Sequence, residues 1–405
     1  MADLARLFLK MSVLAFGGPV AHIAMGQNEI VEKRAWLSRA DYLDMVAATN
    51  LIPGPNSTEM MIHVGYVKQG VKGAVLAGVC FILPAALITL VITMAYVAGG
   101  QLPQVGALLW GVQPVILAII AVAGWRLVPT ALKDRVLWAV AVVSFALLVF
   151  TDAPEVLVMV GGGLFYALIR AARVAGTAML SALPVLVPGG GLAALLQTGA
   201  AAVAAPAVVP SLAELFFYFL RIGAVLFGSG YVLVAYIQQD LVQTFGWLSA
   251  RQLLDAVAIG QFTPGPVLTT ATAVGYITLS AESTAAGMAG ALVATLGVFL
   301  PSFVLVILTA PLLLKMKRST FLRRFLDGAN AAVLAAMAAA VLALAGEAVR
   351  PLSPLTLPVG GISLVAVGLF AFAFFAQVRL KWNATWLVLI GAAFGLGAGV
   401  LGAGL

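Results

Sequence analysis

The sequence predicts an all-α polytopic membrane protein built from two inverted-topology repeats, and three observations predict it. Of its 405 residues, 63% are hydrophobic and only 9% are charged, whereas a soluble domain carries about a quarter charged residues. Apolar runs of about 20 residues, enough to cross a bilayer as helix, recur along the chain. Finally, Phe16-Gly17 through Pro53-Gly54-Pro55 aligns without a gap to Phe227-Gly228 through Pro264-Gly265-Pro266 at an offset of 211 residues, with 15 identities in 40 pairs.

The composition also excludes classes of protein. A single cysteine, Cys80, forms neither an internal disulfide nor a cysteine metal cluster. The net charge of +7 is read by which side of a bilayer each basic residue faces, not as a nucleic-acid footprint. The first residues, Leu4 to Gln27, lack the pattern of a cleavable signal peptide. No catalytic residue, metal site, cofactor or nucleic-acid partner is expected. The one serine set between glycines, Ser229, has no histidine in its own copy to act as a base.

Each copy opens on a glycine-interrupted helix (4–27 and 212–238) and passes a polar connector into a shorter segment broken by Pro-Gly-Pro (about 40–63 and 251–276). Four apolar helices follow, near 72–98, 104–126, 134–150 and 154–171 in the first copy and near 284–311, 324–346, 357–377 and 384–403 in the second. The domains are therefore 1–173 and 211–405, joined by an uncharged Ala, Gly and Pro-rich linker at 174–210. Upstream of the Phe-Gly motif, Leu4 to Phe8 matches Leu212 to Phe216, which implies three inserted residues.

Basic residues stay on the cytoplasmic side during insertion. Lys33, Arg34, Arg39, Lys68 and Lys72 flank the first Pro-Gly-Pro segment on both sides, so it dips in and returns as a re-entrant hairpin. The resulting topology puts 17 basic residues inside against three outside, Arg6, Arg251 and Arg350. About five spans plus one hairpin per copy is an odd number, which inverts the second copy. The loop equivalent to Lys68 and Lys72 carries Glu282 and no basic residue. A membrane crossing by the linker would instead make the copies parallel. Trp36, Trp247, Trp382 and Trp386 are placed as interfacial anchors.

Inverted repeats with broken helices mark secondary transporters, because unpaired backbone groups inside a membrane are tolerated only where they line a cavity or bind something. The breaks therefore nominate the substrate site: Gly17, Gly18, Gly228 and Ser229, then Asn50, Gly54, Asn56, Ser57 and Thr58 with Gln261, Thr263, Gly265, Thr269 and Thr270. Proline suits a first helical turn, and the freed N–H groups with their positive dipole end favour an anion. Lys10 and Arg221, aligned at the same offset of 211, are two cations for one dianion; the competing reading is that both snorkel to the interface. Glu59 is an asymmetric proton-carrier candidate opposite Thr270. Asp44 and Asp255, also aligned, are candidates too, although helix capping or pairing is the stronger reading for them. His22 and His63 are left out of the core site.

These motifs carry a family resemblance. Phe16-Gly-Gly-Pro19 with Ala21-His22, Trp36-Leu-Ser38 to Asp44, Asn50-Leu-Ile-Pro-Gly-Pro55, Phe227-Gly-Ser-Gly-Tyr231, Trp247-Leu-Ser249 and Gln261-Phe-Thr-Pro-Gly-Pro266 together resemble the chromate ion transporter family in its long, two-domain form. The resemblance implies efflux of chromate across the bacterial inner membrane, driven by the proton-motive force and giving chromate resistance. Sulfate has the same tetrahedral shape and charge, and an anion channel would use the same devices without alternating access. The expected partners are the anion and the lipid bilayer, with homodimerisation left open.

Overall fold

The structure, a computed structural model, describes residues 1–405 except 16–17, 50–51, 100–101, 152, 176–208, 228–229, 313–318, 352–357, 360 and 403–405. The first copy runs α1 (Ala2–Leu14), α2 (Gly18–Gly26) with a π-helical turn Gln27–Glu32, α3 (Arg39–Thr49), α4 (Asn56–Gly99), α5 (Pro103–Ala131), α6 (Arg135–Phe150) and α7 (Glu155–Ala175). The second runs α8 (Leu212–Val225), α9 (Val232–Ile237) with a π-helical turn Gln238–Thr244, α10 (Ala250–Phe262), α11 (Thr270–Ser280), α12 (Thr284–Thr309), α13 (Thr320–Ala348), α14 (Leu364–Val378) and α15 (Ala384–Gly402). The only strands among the described residues are the two-residue pair Pro358–Val359 and Ile362–Ser363 ahead of α14. Among the described residues five helices are long and apolar enough to cross a membrane, α4, α5, α7, α12 and α13, and the fold is that of an all-α polytopic membrane protein.

α1 buries Leu4, Leu7, Phe8 and Met11, and α8 buries Leu215, Tyr218, Phe219 and Ile222, the same helical spacing at the same offset of 211. The upstream match therefore needs no three-residue insertion. Both helices stop at an extended residue, Ala15 or Leu226, and the chain turns back. Lys10 Nζ lies 2.9 Å from Glu29 Oε1, and Arg34 Nε 4.0 Å from Asp3 Oδ2, so α1 and α2 run antiparallel. Arg221 and Asp240 repeat the first of these pairs at offset 211. The expectation that 4–27 and 212–238 each run through as one interrupted helix is thus corrected: the glycine break is the tip of a helical hairpin.

The chain also reverses inside α4, at Gln69 and Gly70, where Gly70 takes φ +59. The arm 56–68 folds onto the arm 71–99, with Gly65 against the backbone of Gly73. Lys68 Nζ sits 5.2 Å from the Trp36 ring centroid, bringing the residues before α3 and the end of the first α4 arm to one end of the molecule. In the second copy α11 and α12 fold together likewise, Gly275 against Gly290.

Lipid tails are as apolar as leucine, so packing here comes from close approach rather than from expulsion of water. Glycines supply it: Gly111 of α5 meets the backbone of Gly391 and Gly395 of α15, and Gly162 of α7 meets Gly328 of α13. The outward faces are apolar. Val71, Val75, Val79, Leu83, Leu87 and Val91 form an exposed stripe on α4, and Met288, Leu292, Leu296, Leu300, Val304 and Leu308 repeat it on α12 at a constant offset of 217. In water such stripes would be a liability; against hydrocarbon they are the expected surface.

Leucine at position 111 would force α5 off α15. Gly111→Leu is expected to lower stability by about 1–3 kcal/mol, read as a lower unfolding midpoint in detergent, while Val142→Leu on the exposed face of α6 leaves the midpoint unchanged.

Candidate functional site

All four breaks meet. Gly54 N–H donates to Leu226 O at 2.5 Å, and Gly265 N–H donates to Ala15 O at 3.2 Å. The two bonds are equivalent under the offset of 211, so the Pro-Gly-Pro turn of each copy closes on the hairpin tip of the other. Gly54 at φ +136 and Gly265 at φ +92 occupy backbone conformations that favour glycine. A Cβ on Gly54 would overlap the Glu59 carboxylate and Ser302 Oγ; one on Gly265 would overlap Ala85. Ser302 follows Pro301 in α12 as Ala85 follows Pro84 in α4, so each turn is also braced by the proline-bearing helix of the other copy.

The polar groups at this crossing fall into two sets. Some are paired locally: Thr269 Oγ1 donates to Pro266 O, Thr270 Oγ1 to Val267 O, and Thr263 Oγ1 to Gly260 O while accepting from Thr89 Oγ1. Ser57 Oγ lies 3.1 Å from His22 Nδ1, whose Nε2 faces Ala15 O. Others are buried with no partner: Ser12 Oγ, Thr58 Oγ1, both oxygens of Glu59, Ser302 Oγ and Gln261 Nε2, with His63 Nδ1 further along α4. Tyr231 donates to the other end of the Gln261 amide. A buried polar group without a partner costs about 1–3 kcal/mol on mutational scales, so their concentration here is costly for a core.

Glu59 is the sharpest case. It is fully buried in the first turn of α4 and folds back against Gly54. Neither of its oxygens has a hydrogen-bond partner.

Lys10 and Arg221 are held elsewhere. Each bonds an acid of its own hairpin, Glu29 or Asp240, and their side chains stay 44% and 51% exposed. The structure does not bring them together as two cations around one anion. Asp255 accepts from Tyr96 and Gln113, each at 2.9 Å, tying α10 to α4 and α5, while its aligned counterpart Asp44 is exposed on α3. Asn56 opens α4 beside Ser57. Gly18 begins α2 at φ +73, within 3.8 Å of Tyr231 Oη for an added Cβ. Gly17, Asn50, Gly228 and Ser229 lie outside the described residues.

Sequence reasoning missed Ser12, Ser302, Thr89 and Tyr231, and set His22 aside. The prolines Pro84 and Pro301, each inside an apolar helix of its copy, were the available signal for Ser302. His22 pairs with Ser57 where the second copy has Leu233 and Leu268 at offset 211, so comparing the copies marks it.

The chromate transporter family model matches residues 2–167 and 213–396, two stretches that fall on the two copies. The chain belongs to the chromate transporter family. Among its relatives, the chromate transport protein of Pseudomonas aeruginosa is 33% identical over 94% of this chain and 88% of its own length. The chromate transport protein of Cupriavidus metallidurans is 31% identical over 91% and 87%, and the probable chromate transport protein of Synechococcus elongatus 30% over 90% and 89%. No solved structure matches the chain. Within a chromate transporter, the crossing of the four breaks is the place where backbone dipoles and unpaired hydroxyls converge.

Glu29 lies past α2, outside the candidate spanning helices. Hydrogen bonds from Lys33, Lys10 and Arg34 hold its carboxyl at about 2, against an ordinary 4.5. A depressed carboxyl stabilises the fold fully above its unfolded value and loses that contribution as pH falls. The unfolding midpoint of Glu29→Gln is therefore expected below wild type at neutral pH, with the gap closing as pH drops from about 4.5 towards 2, measured by thermal denaturation in detergent.

Proposed function

We propose that this chain is a secondary transporter that exports chromate from the cytoplasm across the bacterial inner membrane, driven by the proton-motive force and conferring chromate resistance. The observation that carries the reading is the set of buried, unpartnered polar atoms where four helix breaks close on one another across two related copies. A tetrahedral dianion fits the N-termini of α4 and α11 with hydroxyls from Ser12, Thr58 and Ser302. The relatives named as chromate transport proteins support chromate as that dianion. Sulfate is the second reading on shape and charge.

Access alternates, in this proposal, by rocking of two inverted halves. Inversion is supported by the antiparallel packing of equivalent helices: Ala74 shares a cluster with Val306, and Gly78 meets Phe303. With the first segment of each copy folded back, each copy has two hairpins that return to their own side and four crossings, counting α4 from its outer arm. Four is even, so inversion now requires the linker to cross once, the reverse of the parity first expected. Residues 176–208 of the linker, uncharged throughout, lie outside the described residues. Arg6 then joins the cytoplasmic basic residues. Lys10 and Arg221 act in this reading by pinning the two hairpins.

Coupling follows from exclusive occupancy. The break at Gly54 is filled either by the neutral Glu59 side chain or by the anion. Chromate arriving from the cytoplasm displaces Glu59 into water, where it gives up its proton; after release outside, Glu59 returns to the dry break only by taking a proton there. One proton enters for each anion that leaves by this route. Asp44 and Asp255 have no step in it.

Two measurements test the proposal. In proteoliposomes, radiolabelled chromate flux is expected to saturate, to respond to a proton gradient and to resist competition by sulfate; ohmic single-channel current would replace the transporter by a channel. Glu59→Gln is expected to abolish gradient-driven net flux while chromate exchange at zero gradient persists. For the topology, single cysteines replacing Gln69 and Glu282 in a Cys80→Ser background are expected to label from opposite faces of sealed vesicles, and labelling from one face would refute the inversion.

A further inference from the structure

Two buried, unpartnered polar atoms lie away from the crossing, Glu155 Oε2 and Gln238 Oε1. Their residues are only 8% and 5% exposed. Both line a chamber of about 350 Å³ formed by the end of α6, the first turn of α7, the π-helical turn after α9 and the middle of α13, with Thr151, Gln239, Gln243 and Ala340 completing its wall. Two acceptors facing one chamber, with neither a donor nor a cation from the chain on these atoms, call for a positively charged ligand.

Comparison of the two copies makes the same point. The π-helical turn of the first copy carries Glu29, met by Lys10, Lys33 and Arg34. At offset 211 the second copy keeps Gln27 as Gln238 and Glu29 as Asp240 but replaces Lys33 and Arg34 with Thr244 and Phe245. Asp240 retains Arg221, and Glu155 joins them within electrostatic range. Glu29 met by three bases in the first copy thus gives way to Asp240 and Glu155 beside one base in the second. The other titratable groups facing Glu155 are Tyr218 and Tyr236, both neutral donors or acceptors: Tyr218 donates to Tyr236 O, and Tyr236 to Met159 Sδ.

We propose that this chamber binds a small monovalent cation through Glu155 and Gln238. Carboxylate and amide oxygens suit a hard ion, and no cluster of three His, Cys, Asp or Glu side chains able to hold a metal ion occurs among the described residues, which disfavours a di- or trivalent metal. The ion is an alkali cation taken from the medium. The site stands whichever anion the crossing carries.

The test uses purified full-length protein in detergent, without chromate. One arm titrates the unfolding midpoint with sodium or potassium chloride against choline chloride at constant ionic strength and neutral pH, and measures binding of radioactive sodium by equilibrium dialysis. The other arm lowers pH in choline chloride alone. A saturable rise in midpoint is expected in the salt arm; it disappears in Glu155→Gln and weakens in Gln238→Leu by roughly tenfold in apparent affinity. A response confined to the pH arm is protonation of Glu155 alone and overturns the proposal. Should Glu155→Gln fail to fold, the Gln238→Leu titration carries the test. Wild type and variants titrating alike in both arms would overturn the proposal. Because no anion transport is measured, a failed chromate assay would leave this result intact.

Discussion

The rest of the architecture depends on how the backbone groups freed at four helix breaks are satisfied inside a membrane. Hydrocarbon offers them no partner, and each unpaired N–H or C=O there costs several kcal/mol. The chain solves this across its copies: Gly54 N–H bonds Leu226 O and Gly265 N–H bonds Ala15 O. Both bonds run between the copies. The hairpin of one copy and the Pro-Gly-Pro turn of the other therefore hold together as a unit, and the glycines at both turns are fixed by backbone conformation as well as by the side chains pressed against them. The same closure brings together Ser12, Thr58, Glu59, Ser302 and Gln261, whose polar atoms are left over once the backbone is satisfied.

Charge is distributed to leave that centre without a fixed ion pair. The two cations inside the hairpins are neutralised by acids fourteen or so residues past each tip, Lys10 by Glu29 and Arg221 by Asp240. What remains at the centre is a set of dipoles and hydroxyls. The asymmetry between the copies lies in titratable groups: Glu59 against Thr270, His22 against Leu233, Glu29 with three bases against Asp240 with one. The backbone repeats between the copies while the titratable chemistry does not.

Much of this was legible in the residues. The offset of 211 located the copies and all four breaks, and the eight long apolar helices fall within a few residues of their expected positions, apart from a later start at Leu364. What escaped was the direction of the chain after each Phe-Gly break. A glycine in an apolar helix reads equally as a kink or as a tip, and only the pairing of Lys10 with Glu29 and of Arg34 with Asp3 decides between them. Both acids were in view, but nothing local shows that a residue nineteen positions away lies on a facing helix. The role of the cations failed for the same reason. Of the hydroxyls, Thr269 and Thr270 turn inward on their own backbone, as threonine in apolar helices commonly does.

The matched stripes on α4 and α12 carry a further consequence. From Val71 to Val91, and from Met288 to Leu308, twenty helical steps extend about 30 Å, the depth of an ordinary hydrocarbon core. Both helices also brace the Pro-Gly-Pro turns through Ala85 and Ser302. A thinner bilayer would relieve the mismatch by tilting these two helices, and the tilt would be felt directly at the turns they support. Acyl-chain length thereby becomes a mechanical input to the centre of the molecule.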